Sequence, residues 1–155
     1  TYTNTAQTAS WPQGTYRNFL RLYAAPTASL SAISVAGTPV AEDELVVREE
    51  NDRQVFGALV EIPVQQTKTV AIEYTLPYDQ ATREQITADD GRFAYAFFDQ
   101  KQPGTEATDL TIRLRHAATF NPRVIAPQAE VSDNTIMFDQ DRQDHSFVGA
   151  SFRVQ

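Results

Sequence analysis

The sequence predicts an all-β protein, an antiparallel β-sandwich of about nine or ten strands of Ig-like or jelly-roll type. Three observations lead there. Apolar residues alternate with polar or small ones along several segments, most cleanly over 67–76, 92–98 and 108–116. Turn-forming Pro, Gly, Asn and Asp separate these segments at intervals of roughly 8–15 residues. No stretch keeps the helical period of about 3.6 residues long enough for a long helix.

In chain order, Thr1 to Ser10 is rich in Thr, Ala, Ser and Gln. With Trp11 and Pro12 it reads as a linker or N-terminal arm over residues 1–12, leaving 13–155 as a single β-sandwich domain. Trp11, the only tryptophan, is expected as a plug at the base of the core, with ligand stacking as its other reading. Thr15 to Tyr23 is the first strong strand. Tyr16, Asn18, Leu20 and Leu22 share one face, and Arg17, Phe19, Arg21 and Tyr23 the other. The second set has the makings of a cation–π ladder.

Ser29 to Val35 is a strand with Leu30 and Ile33 out of alternation, which predicts a bulge. Leu45 to Arg48 is a short strand, and Glu49 to Asp52 a polar turn. Arg53 to Ile62 is a core strand in which Gly57 marks a bulge or a close approach by a neighbour. Thr67 to Leu76 points Val70, Ile72, Tyr74 and Leu76 inward. Ala81 to Ile86 reads as one or two helical turns capped by Asp79.

Arg92 to Phe98 reads as the central strand, with Phe93, Tyr95 and Phe97 on one face and Ala94, Ala96 and Phe98 on the other. Pro103-Gly104 ends this run, because Pro presets φ and Gly supplies a positive φ. Thr108 to His116 follows, and Asn121-Pro122 reads as loop. The strands 129–132, 135–139 and 146–154 complete the series.

Composition narrows the function classes. The formal charge of −7 repels phosphate, so neither nucleic acid nor an anionic membrane surface is an expected partner. Without cysteine there is no disulfide, thiolate catalysis, zinc ribbon or iron–sulfur cluster. No apolar run approaches the ~18 residues of a membrane helix. The sequence opens on Thr1 and its only methionine is Met137, so it reads as a fragment or processed chain whose anchor would lie upstream.

Candidate chemistry is sparse. His116 and His145 both fall near strand ends. Asp144 adjoins His145, but successive strand residues face opposite ways, the wrong geometry for a Ser-His-Asp triad. No G-x-S-x-G occurs. The expectation is therefore a non-enzymatic chain. Asp139, Asp141 and Asp144, with Asp133 nearby, form the best carboxylate cluster. Ca²⁺ takes six to eight oxygens, so calcium is the one cofactor these residues offer. The EF-hand pattern fails there, and a solvated hairpin tip is the default.

Lys68 and Lys101 invite a Lys–Asn cross-link, with Asn18 or Asn134 as partner and Glu61 or Glu73 as the acid. That chemistry needs a desolvated amine. Lys68 falls on an outward face and Lys101 in a turn, which favours ordinary surface lysines. Trp11, Tyr23 and Tyr78 lie near loop boundaries and are the candidate ligand-binding residues. Phe98 is expected to pack in the core.

Four phrases then stand together: GTYRNFLRLY from Gly14 to Tyr23, Val55-Phe56-Gly57, the pair Thr67 to Val70 and Glu73 to Pro77, and QKQPGT from Gln100 to Thr105. In this order they resemble the C-terminal extracellular region of an uncharacterised family of bacterial envelope proteins, a domain of unknown function that follows an N-terminal membrane anchor. The resemblance spans about Gly14 to Leu114. It implies a cell-surface location reached through an upstream anchor, the membrane being touched only through that anchor. It also implies partners among other envelope proteins or surface glycans, and carries over no catalytic residue. The leading expectation is an extracellular structural, adhesion or interaction module. The alternative is a carbohydrate-binding module for cell-wall or capsular glycans, calcium-dependent if the aspartates ligate.

Overall fold

The protein is described by a computed structural model covering residues 1–11, 13–77, 84, 91–100, 108–142 and 144–154. The chain is all-β, with antiparallel strands gathered into five small sheets. It divides into two compact units, Thr1–Pro77 and Tyr78–Gln155. The helical turns expected over 81–86 (apart from Glu84) and the Pro103-Gly104 turn lie outside the described residues.

The first unit contains β1 (Tyr2–Thr3), β2 (Tyr16–Ala24), β3 (Ser29–Val35), β4 (Thr38–Pro39), β5 (Leu45–Glu50), β6 (Arg53–Ile62), β7 (Thr67–Lys68) and β8 (Val70–Thr75). One sheet has the order β2-β6-β5 and another the order β4-β3-β8. Their apolar faces share one core. Phe56 and Ala58 of β6 and Ala24 of β2 meet Ile33 of β3, with Ile72 and Tyr74 of β8 packed against them. The rings of Phe56 and Tyr74 lie 6.2 Å apart. The alternation in 67–76 thus resolves as expected, with β7 and β8 as separate pieces. The bulge expected in β3 falls between Leu30 and Ala32.

Two-residue turns close the hairpins. Asn51 and Asp52 both have positive φ (51° and 55°) between the paired Glu50 and Arg53, the signature of a type I′ turn. The N-terminal arm is tied down by Asn4. Its buried side-chain amide donates to the carbonyls of Gly14 and Ile62, each at 2.9 Å. Residues 2–3 then pair with 67–68 as β1 and β7.

The second unit contains β9 (Arg92–Asp99), β10 (Thr108–Arg115), β11 (Phe120–Ala126), β12 (Glu130–Ser132), β13 (Thr135–Arg142) and β14 (Ser146–Val154). Its sheets are β11-β14-β9 and β10-β13-β12. They too share a core, of Val148, Ala150 and Phe152 from β14, Phe120 from β11, and Ile136 and Phe138 from β13. The rings of Phe93 and Phe120 stack at 5.7 Å. Fully burying a phenylalanine, as at Phe138 and Phe152, contributes roughly 1.5–3 kcal/mol.

Three sequence expectations need correction. The described residues form fourteen strands, where about nine or ten were expected. The extra ones are mostly pairings of two residues, too short to show a period. The segment around Asn121-Pro122 is strand β11 and not loop. Pro122 is tolerated because β11 is an edge strand with a register shift between Pro122 and Val124, so the missing N–H breaks no regular ladder. Finally, β9 is an edge strand, and the centre of its sheet is β14. Val148, Ala150 and Phe152 fill the middle of the core, and β9 adds its ring row alongside.

Candidate interaction surface

The outer face of the β11-β14-β9 sheet carries small and apolar residues in its middle rows. Antiparallel register brings its residues into rows. Ala94, Ser151 and Val124 make one row, and Ala96, Gly149 and Ala126 the next. Phe98 stands opposite Phe147 beyond them. Both rings are exposed, at 61% and 57%. A Cβ at Gly149 would lie 3.4 Å from Cε1 of Phe147, so the Phe147 ring lies beside that glycine. The His145 ring sits 5.7 Å from that of Phe98. At the opposite end Arg92 faces Arg153, a cross-strand pair of like charge. The face thus carries rows of Ala, Gly, Ser and Val between aromatic rings at one end and guanidinium groups at the other.

The expectation that Phe98 packs in the core is therefore corrected. Phe98 shares the outward parity of Ala94 and Ala96, and no described sheet covers that face. Phe147 was not singled out from sequence. The available signal was its parity with Gly149 and Ser151, opposite to the buried Val148, Ala150 and Phe152.

In the first unit the outer face of β2 carries the predicted cation–π contact. The Arg21 guanidinium lies 5.3 Å from the centre of the Phe19 ring. Arg17 instead pairs with Glu61 at 2.8 Å. Tyr23 is 48% exposed on this face, opposite Val55. Trp11 is 93% exposed, which overturns its expected role as a core plug. It stands in the turn of the arm, which is held through Asn4 and Gln13 and leaves the indole in solvent. No ring contact joins Trp11 to Tyr23 among the described residues. Tyr78 lies outside the described residues.

The aspartates do not form the single turn expected. Asp139 and Asp141 project from β13, which continues to Arg142 because it pairs with β10 along that length. Asp139 accepts a hydrogen bond from the Thr111 hydroxyl at 2.7 Å. Asp141 stands opposite Asp109, and Asp144 follows in the bend beyond the strand. Among the described residues no group of three His, Cys, Asp or Glu side chains is arranged to hold a metal ion.

His116 has its Nδ1 3.0 Å from the Ala117 carbonyl oxygen and its ring 5.1 Å from that of Phe152. Its Nε2 is buried without a hydrogen-bond partner. In the first unit an open groove of roughly 670 Å³ runs between β3 and β5, with a mixed lining that includes Ile33, Val40 and Phe56 beside Ser29, Ser31 and Gln54, and Glu42 as its one charged group.

No family model matches the chain, and no curated protein or solved structure matches it either.

Proposed function

We propose that this chain is a non-enzymatic interaction module of a bacterial cell-surface protein, with its paired sheets acting as β-sandwich layers of Ig-like or jelly-roll kind. The observation that carries the reading is the Phe98–Phe147 pair on an open sheet face. Two large exposed rings on directly opposed residues cost apolar hydration, whereas aromatic anchors of this kind dominate protein interfaces. The sequence resemblance supplies the location: an envelope protein tethered upstream, with other envelope proteins as partners. The glycan-binding alternative draws on the exposure of Trp11 and Tyr23, since sugar rings stack on such side chains.

A binding comparison separates the two. The full chain is tested against an immobilised envelope-protein fraction and against cell-wall and capsular glycans, in millimolar calcium and in chelator. The expected result is retention on the protein fraction that the double variant Phe98→Ser, Phe147→Ser loses. Retention on glycans that survives this variant and fails in Trp11→Ala or Tyr23→Ala would replace the reading with the carbohydrate-binding one. Dependence on calcium would direct attention to Asp139, Asp141 and Asp144.

A further inference from the structure

An exposed sheet edge is a template for pairing, and proteins blunt their edges with charge, proline, bulges or short length. This chain follows that rule at nearly every described edge. Within their runs β2 carries Arg17 and Arg21, β5 carries Arg48 and Glu49, β8 carries Glu73, and β10 carries Arg113. β11 has Pro122 and a bulge. The remaining edge strands have two or three residues. Among the strands at the ends of the described sheets, β9 is the exception. It has eight residues, and the run from Phe93 to Phe98 contains no charge and no proline.

The hydrogen-bond pattern shows which β9 groups face the open edge. The Val154 N–H donates to the Gly91 carbonyl at 2.8 Å, next to the Arg92–Arg153 pair. Bonded and non-bonded pairs alternate in an antiparallel ladder. Residues 93, 95, 97 and 99 therefore bond to β14. Ala94, Ala96 and Phe98 direct their backbone groups away from it, towards a side on which no described strand lies.

We propose that this edge pairs with β9 of a second copy of the chain, antiparallel, joining two three-stranded sheets into one. The occupant is read from the sequence of the strand. Phe93-Ala94-Tyr95-Ala96-Phe97 has the same order of ring and small residue in both directions. A two-fold axis sets residue i against j and j against i, and this order then sets ring against ring and small residue against small residue along the run. With the axis at Tyr95, Ala94 faces Ala96 of the second copy and Phe93 faces Phe97. Ala94 and Ala96 are also open-edge residues, so the same register satisfies their backbone groups. Arg92 then faces Phe98 of the second copy, a guanidinium against an otherwise exposed ring. Pairing uses the edge of the sheet and stands whether or not its face binds another protein.

Sedimentation equilibrium of the full chain over a concentration series tests this. A reversible monomer–dimer equilibrium is expected, weakened about tenfold or more by Ala96→Lys, since an edge lysine opposes strand addition. A chain that stays monomeric throughout overturns the proposal and leaves the edge to a foreign strand. So does a dimer that Ala96→Lys leaves intact. The register is read by mixing an Ala94→Cys chain with an Ala96→Cys chain under mild oxidation, which this cysteine-free sequence allows. The mixed disulfide should form faster than either homodimer. A faster homodimer of the Ala96→Cys chain would overturn the axis at Tyr95.

Discussion

At Gly57 the reason for a glycine is steric. A Cβ there would lie 3.0 Å from the Leu20 carbonyl oxygen and 3.2 Å from Cε1 of Phe19. The sequence marked this point as a bulge or a close approach, because a glycine inside a strand of Val, Phe and Leu has few other reasons. It did not show which residue. The ladder runs without a shift past Gly57, so of the two readings, bulge or close approach, the close approach holds. Gly57→Ala should destabilise the chain by about 1–3 kcal/mol through overpacking. The drop is read as a lower urea midpoint at unchanged slope. Asn4 shows the opposite limit of legibility. Nothing in a Thr-rich arm marks one asparagine as the residue whose amide bridges Gly14 and Ile62, because both acceptors are distant backbone groups.

At the scale of elements, alternation identified the long strands and their buried faces. It could not say which strand lies at an edge, because a strand with one ring row looks the same in the middle of a sheet or at its border. β9 illustrates this. Its inward residues were legible as Phe93, Tyr95 and Phe97, while its edge position follows from the pairing of β14 with both β9 and β11. Hydrogen exchange checks the pattern directly. In dilute solution the amides of Phe93, Tyr95 and Phe97 should exchange slowly and those of Ala94, Ala96 and Phe98 rapidly, a two-residue rhythm along one strand. Uniform protection along β9 in a sample that sediments as monomer would contradict the assigned hydrogen-bond parity. β11 was hidden for a related reason. A proline reads as a breaker until it is known to stand at an edge beside a bulge.

For the molecule as a whole, each compact unit has a core of its own, one around Phe56 and the other around Phe138 and Phe152. Truncating a buried phenylalanine costs about 3–5 kcal/mol. Phe56→Ala should therefore lower exchange protection across β2, β3, β6 and β8 more than across β13 and β14. Phe138→Ala should do the reverse. Equal losses in both units from either substitution would show one cooperative core. By itself the sequence determined the all-β class, the direction in which most strand side chains point, and some of the turns, such as that at Asn51-Asp52. These follow from local sterics and a period of two, which any short window contains. The tertiary structure alone decided which strands neighbour one another, that Trp11 stands in solvent, and that Phe98 stands opposite Phe147 on an open face. Those features depend on contacts between residues far apart in the chain, and the alternation of a single strand is compatible with many such partners.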